Sequence, residues 1–203
     1  MAPEARAPQQ RRSREKYAAI LRTAADLLQT VSYDELGTTR IAAAAGVSVG
    51  VLYRFFPDKE AIVRALVRQW WEADVARIEE LAARPPQGGV ERLLEELFAR
   101  YAERFRHEPG YRNVWFHAPP GSWTEDDGPG VDARIADHLH AILTGGYGLA
   151  DTPETRLRTR LAVELGDHVL QLAFRDDPDG DPEILAEGVL MMECYLFAPL
   201  RHG

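Results

Sequence analysis

The chain has 203 residues, of which 45% are hydrophobic and 28% charged, and its formal net charge is −8. This composition excludes a disordered or collagen-like chain, and a single cysteine excludes an internal disulfide framework. No run reaches the ~18 apolar residues of a membrane span, and the N-terminus lacks the apolar centre of a signal peptide. We therefore expect a soluble, cytoplasmic protein.

Charge is distributed unevenly along the chain. Residues 1–69 carry 11 Lys and Arg against 7 Asp and Glu, a net of +4, whereas the other 134 residues carry 13 against 25, a net of −12. A basic N-terminal third on an acidic body suggests that this third meets a polyanion. Surface composition alone produces similar asymmetries.

The hydrophobic spacing predicts an all-α fold of about nine helices, because almost every segment has a helical period. A cap at Ser13 begins the first helix, which ends before the turn "SYDELG". Ser48 and Asp58 are the predicted caps of the third and fourth helices, and Pro57 separates them. The remaining helices are predicted at about 38–45, 90–107, 109–117, 131–143, 153–174 and 182–197, and the fourth extends to about 83.

The three short helices before Pro57 have the spacing of a helix-turn-helix. Gly46 can take the left-handed conformation of a tight turn, and Ile41 faces Leu52 across it. Either Phe55 or Phe56 completes this small core. The residues that begin the third helix then face outward, and they are small and uncharged: Val49, Gly50 and Val51.

Such a helix start suits the major groove of DNA. Small residues allow close backbone approach, and valine methyl groups can contact the methyl group of thymine. Phosphate contacts are expected on either side of the groove, from Tyr53, Arg54, Lys59 and the helix start at Thr38, Thr39 and Arg40. A three-helix packing unit with no DNA role is the alternative.

The stretch "TTRIAAAAGVSVGVLYRFFPDKEAIV" resembles the DNA-binding signature of the TetR (tetracycline-repressor) family of bacterial regulators. The resemblance covers about Ser13 to Val67. It implies that the recognition helix carries Ser48, Val49, Gly50, Val51, Tyr53, Arg54 and Phe55, and that Thr38, Thr39 and Lys59 touch the DNA backbone. Gly37 departs from the threonine common in the family, which transfers the capping of the second helix to Thr38.

The predicted organisation has three parts. Residues 1–12 form a flexible N-terminal arm, which either enters the minor groove or is disordered. Residues 13–60 form the DNA-binding domain, and residues 61–203 form a domain for ligand binding and dimerisation.

Neither a metal site, a cofactor nor an enzyme is indicated. His138 and His140 lie two residues apart on a helix, so they point in different directions. Nothing in the sequence supports a nucleophile–base pair, a phosphate-binding glycine loop or a catalytic site of paired carboxylates.

Aromatic residues cluster in the middle helices. In helices such residues are more often core than ligand contacts, but the family resemblance implies a small-molecule pocket here. His168 lies on the apolar side of its helix, as a core, interface or cavity residue. We expect an apolar or aromatic effector beside Phe98, Tyr101, Phe105, Trp115 and His168.

The last two helices are apolar around most of their circumference, which predicts burial on most sides. Gly166 and Gly188 permit close helix approach. A two-fold interface of four helices, two from each subunit, explains this pattern and is implied by the resemblance. The expected interface residues are Leu161, Leu165, Leu185, Val189, Met192 and Leu196.

The resulting hypothesis is a homodimeric transcriptional regulator. It acts as a repressor that binds a palindromic DNA operator and is released by a small molecule. The alternative is a helical enzyme or small-molecule carrier whose N-terminal unit only resembles a DNA-binding domain.

Overall fold

The computed structural model describes residues 6–84, 86, 88–117 and 131–198, and within these residues it contains helices and no strand. The all-α prediction is confirmed. In chain order the helices are α1 (Arg6–Leu27), α2 (Thr38–Ala44), α3 (Val49–Phe55), α4 (Lys59–Ala82), α5 (Val90–His107), α6 (Tyr111–His117), α7 (Val131–Gly146), α8 (Pro153–Phe174) and α9 (Pro182–Leu196). None of the described helices is long and apolar enough to cross a bilayer.

Helix α1 begins earlier than the sequence analysis predicts. It begins at Arg6 and not after a cap at Ser13, so residues 6–12 of the expected arm are helical. The reason is local: Arg and Gln favour helices, and Pro8 falls in the first turn, where its missing N–H breaks no hydrogen bond. Residues 1–5 lie outside the described residues.

The chain divides into two compact units. Among the described residues, the N-terminal unit comprises 6–69 and 109–117, and the C-terminal unit comprises 70–84, 86, 88–108 and 131–198. The boundary therefore falls inside α4, after Gln69, and not at residue 60, where the sequence places it. Residues 109–117, including α6, belong to the N-terminal unit although they follow α5 in the chain.

Side-chain hydrogen bonds attach α6 to the end of α1. The amide of Asn113 donates to the carbonyl oxygens of Leu28 at 3.0 Å and Val31 at 2.9 Å. Carbonyls at the end of a helix have no partner within the helix, so Asn113 completes their bonding. Gly110, just before α6, has a φ of +74°, and a Cβ built there would lie 2.8 Å from the Leu28 side chain. Both the backbone conformation and this close approach therefore favour glycine.

In the C-terminal unit, α8 packs against α7 and α9, and α5 also contacts α9. Phe174 is fully buried, and its ring stacks on Phe105 with 4.8 Å between centroids. Two caps fix the starts of the last helices. Thr152 forms a reciprocal capping box with Thr155, and the carboxylate of Asp181 accepts from two N–H groups of α9.

A buried ion pair joins α4 to α5 in the C-terminal unit. Asp74 and Arg104 are in contact, and each is almost fully buried. Arg104 also donates to the carbonyl oxygen of Trp70 at 3.2 Å. Burial raises the pKa of Asp74, and the Arg104 guanidinium opposes that rise. Desolvation of the carboxylate thus outweighs its attraction to the arginine.

Candidate nucleic-acid interface

The turn between α2 and α3 has the geometry of a helix-turn-helix. Gly46 has a φ of +65°, the left-handed conformation that glycine adopts without strain. The hydroxyl oxygen of Ser48 accepts from the N–H of Val51 at 3.3 Å and caps α3. Ile41 and Leu52 have no exposed surface, so they fix α3 against α2.

Of the two phenylalanines at the end of α3, Phe56 is the core residue. It is 3% exposed and stacks on Tyr17 of α1 with 4.9 Å between ring centroids. Phe55 is half-buried and meets the same tyrosine edge-on at 6.0 Å. The ring of Phe55 thus packs against α1, and its contact with DNA stays a prediction.

The predicted recognition residues lie on the surface of the N-terminal unit. Val49 is 36% exposed and Tyr53 is 51% exposed, and Ser48, Gly50 and Arg54 are also exposed. Val51 is half-buried. The start of α3 thus presents an apolar surface to solvent, an arrangement that costs free energy unless a partner covers it.

The start of α2 lies beside this surface. The hydroxyl groups of Thr38 and Tyr53 share a hydrogen bond of 3.1 Å, and Thr39 and Arg40 are exposed. The prediction that Thr38 caps α2 is wrong, because the cap position is Gly37 and makes no side-chain bond. The Thr38 hydroxyl instead faces the third helix.

Lys59 begins α4 and is anchored within the unit. Its ammonium group donates to the carbonyl oxygen of Tyr33 at 3.0 Å and lies 4.4 Å from the centroid of the Tyr33 ring. Tyr33 is buried, and burial raises the pKa of its phenol, with a further contribution from the charge of Glu60. An ammonium group has three donors, so this contact leaves others for a phosphate.

The structure places the expected effector residues on three helices: Phe98, Tyr101 and Phe105 on α5, Trp115 on α6 and His168 on α8. Trp115 stacks on Tyr111 with 5.4 Å between ring centroids. Phe98 and Phe105 are buried core residues. The expectation that His168 lines an internal pocket is corrected, because His168 is exposed on α8.

Tyr101 does line a cavity, of about 20 Å³, between α4 and α5. An open cleft of about 340 Å³ shares three of its arginines: Arg77, Arg100 and Arg104. The described surroundings of Tyr101 therefore combine apolar side chains with charged ones. Sequence spacing could not indicate that these arginines line one cleft, because they come from two helices.

The expected interface residues separate into three groups. Met192 and Leu196 are 2% and 1% exposed within one chain, so they are core residues with no surface left for a second subunit. Leu185 and Val189 are half-buried, whereas Leu161 and Leu165 are exposed. The sequence analysis missed other exposed apolar residues on these two helices: Leu157, Leu172, Leu190, Met191 and Phe197.

The two histidines on α7 have separate partners. His138 lies 3.3 Å from the carboxylate of Glu79, and buried His140 contacts Asp151 at 3.1 Å and Thr159 at 3.3 Å. The hydrogen bonds of His140 and Arg156 lower the pKa of Asp151. Among the described residues, no group of three His, Cys, Asp or Glu side chains has the proximity that a metal ion requires.

Two family models match this chain. The model of the bacterial regulatory proteins of the tetR family matches residues 20–66, which contain α2 and α3. The model of the tetracyclin repressor-like C-terminal domain matches residues 88–200.

Individual proteins are also similar. The HTH-type transcriptional regulator EthR of Mycolicibacterium smegmatis is 29% identical over 132 residues, which span 56% of this chain and 61% of that protein's length. A TetR-family transcriptional regulator from Streptomyces coelicolor is 32% identical, with a TM-score of 0.72 over 93% of this chain and 99% of that one. The Dietzia repressor AlkX shares the fold, at 20% identity and a TM-score of 0.58 over 89% of this chain and 94% of that one.

Proposed function

Because the chain belongs to the TetR family of bacterial regulatory proteins, we propose that it is a ligand-responsive transcriptional repressor. The observation that carries the proposal is the exposed apolar start of α3, where Val49 and Gly50 lie beside Tyr53 and Arg54. A recognition helix meets base edges with its first residues, and basic and hydroxyl groups around it hold phosphates. The contacts that we propose come from Thr38, Thr39, Arg40, Ser48, Tyr53, Arg54 and Lys59.

The assembly that we propose is a homodimer. The exposed apolar residues of α8 recur at helical spacing, as Leu157, Leu161, Leu165 and Leu172, and α9 adds Leu190 and Met191, with Phe197 directly after it. Exposed apolar residues in this number typically mark a protein interface. A two-fold dimer covers these residues with the same surface of a second copy and presents two recognition helices to a palindromic operator.

The effector site that we propose lies in the C-terminal unit, at the small cavity lined by Tyr101 and at the open cleft that shares Arg77 and Arg100 with it. The apolar and charged side chains of this lining favour a small molecule that combines an aromatic or apolar body with polar groups. Helix α4 contributes to both units, so a change at the cleft can reach the recognition helices through it. Coupling between two such sites typically amounts to 1–3 kcal/mol.

A mobility-shift assay with DNA from upstream of the protein's own gene tests the DNA-binding proposal. Wild-type protein should shift this duplex in the presence of excess random DNA. Arg54→Glu should abolish the shift, because it places a negative charge beside the phosphates. Arg92→Glu makes the same charge change on the exposed surface of α5 and should leave the shift intact. Equal binding by the two variants would contradict the proposed interface.

A further inference from the structure

The first turn of α3 offers no side chain that can form a hydrogen bond with a base. It consists of Val49, Gly50 and Val51. Beside this turn, the Ser48 hydroxyl caps the helix and the Tyr53 hydroxyl is bonded to Thr38, and we assign both groups to phosphates. Guanine, adenine and cytosine are distinguished in the major groove chiefly by polar side chains, whereas thymine presents a methyl group. Among the groups that base edges present in the major groove, the thymine methyl group is the one that suits this apolar turn.

Nothing within the described structure requires a glycine at position 50. Its φ lies outside the left-handed region, and a Cβ built there would have no neighbouring heavy atom within 4 Å. Glycine is among the residues that destabilise a helix most, and alanine is the most favourable replacement. The space beside Gly50 is therefore free for a body outside the chain.

We propose that α3 recognises the 5-methyl groups of thymine through Val49 and Val51, and that Gly50 provides the clearance for this contact. The inference rests on the proposed DNA-binding function and names its specificity. Methyl groups in van der Waals contact exclude water, and each one buried contributes about fourfold to affinity. The absent side chain of Gly50 lets the helix approach the base edges closely enough for that contact. Each half-site should then contain at least one thymine whose methyl group is required.

The experiment begins with purified wild-type protein and a random-sequence duplex library, from which tight binders are selected. The selected duplex is then resynthesised with deoxyuridine in place of each thymidine in turn. Deoxyuridine keeps the base pair and its O4 acceptor, and it lacks only the methyl group. We expect about fourfold weaker binding at one or two positions of each half-site.

Val49→Ala connects that loss to the helix. If Val49 contacts the methyl group, the variant should bind the thymidine and deoxyuridine duplexes with nearly equal affinity at one of those positions. Val49 is partly exposed, so its truncation removes little of the core. A full fourfold effect of deoxyuridine at every position in Val49→Ala and in Val51→Ala would overturn the assignment.

Gly50→Ala tests the clearance. The added methyl group should raise Tm by about 2–4 °C at most and weaken binding to the selected duplex at least about tenfold. Gly145→Ala is a matched control, because Gly145 also lies in a terminal turn of a helix with open space around it. The control should have a Tm similar to that of Gly50→Ala and the DNA affinity of wild type. Unchanged affinity in Gly50→Ala would overturn the clearance argument.

The outcomes separate this inference from the function on which it rests. Failure to enrich any sequence from the library would contradict the proposed DNA-binding function itself. Enrichment of a sequence that binds equally well with deoxyuridine at every position would leave that function standing and overturn the methyl recognition.

Discussion

The hydroxyl groups of Thr38 and Tyr53 share a hydrogen bond of 3.1 Å between the start of α2 and the exposed face of α3. The sequence analysis assigns both residues to DNA contacts, and fifteen positions separate them in the chain. Because the bond fixes the phenol ring beside the recognition residues, it orients a group that would otherwise rotate freely in solvent. An ordered donor binds a phosphate at a smaller entropic cost.

Tyr53→Phe removes only this hydroxyl group. We expect affinity for selected and random DNA to fall by similar factors, about two- to tenfold, because a single neutral hydrogen bond typically contributes about 0.5–1.5 kcal/mol. The salt dependence of binding should not change, since no charge is lost. Fluorescence anisotropy at several salt concentrations measures both quantities. Thr38→Val, which deletes the other hydroxyl, should cause a loss of the same order, and wild-type affinity in both variants would contradict the orienting role.

Lys59 is expected to have two roles: it stabilises the N-terminal unit and it contacts a DNA phosphate. Lys59→Met should lower thermal stability, because it removes the hydrogen bond to the Tyr33 carbonyl and the contact with the Tyr33 ring. It should also reduce the slope of log affinity against log salt by about one unit, the value for one phosphate contact. Arg92→Met removes an exposed charge from α5 and serves as the control. A lower Tm with an unchanged slope would limit Lys59 to a structural role.

The sequence analysis predicts the same role for Gly166 and Gly188, but replacement by alanine should change stability in opposite directions at the two positions. A Cβ at Gly188 would lie 2.6 Å from Val169 and 2.8 Å from Phe98, whereas a Cβ at Gly166 meets only Phe98, at an ordinary 3.8 Å. Gly188→Ala should therefore destabilise the C-terminal unit by about 1–3 kcal/mol through overpacking. Gly166→Ala should stabilise it by up to about 1 kcal/mol through helix propensity. Urea unfolding of the two variants measures the difference, and equal midpoints would contradict the packing at α9.

We expect Asp151 to contribute to the acid sensitivity of the protein. The hydrogen bond from His140, and then that from Arg156, lowers the pKa of Asp151. A carboxylate whose folded pKa is lowered contributes stability above its unfolded pKa of about 3.9, and that contribution is lost as the pH falls through the folded pKa. Asp151→Asn should therefore show a smaller fall in Tm between about pH 5 and pH 3 than wild type. Asp176→Asn, in the exposed turn before α9, should follow the wild-type profile.

The helices themselves were predictable because their signals are local. The predicted caps Ser48 and Asp58 and the break at Pro57 lie within a few residues of the helix ends that they determine. The start of α1 was not predicted, because polar helix formers before Ser13 extend the helix without any apolar periodicity. A cap-based argument cannot detect such an extension.

The side chains of the site were less predictable, since their partners are distant in sequence. Asn113 binds the end of α1 from 85 residues away, and nothing in its neighbourhood indicates this contact. The apolar circumference of α9 likewise does not indicate which of its sides packs into the core of its own chain and which is exposed. Met192 is in the core and Met191, its neighbour, is exposed. Only the packing of α9 against α8 and α5 distinguishes them.

The proposed dimer can be tested on the exposed face of α8. Leu165 is 45% exposed on that face. Leu165→Glu would place a charge in the interface without a partner, at a cost of about 3–5 kcal/mol, and should convert the dimer to a monomer. The fold of a single chain should persist, because the residue makes a small contribution to its core. Light scattering gives the mass and circular dichroism the helix content.

Ala99→Glu is the matched control, since it adds the same charge at an exposed position of α5 in the same unit. This variant should remain dimeric at every concentration at which wild type is dimeric. Loss of dimer in Leu165→Glu should also weaken binding to a palindromic duplex far more than binding to a single half-site, because only the dimer joins two recognition helices. A Leu165→Glu protein that remains dimeric and binds the palindrome normally would place the interface on another surface of the chain.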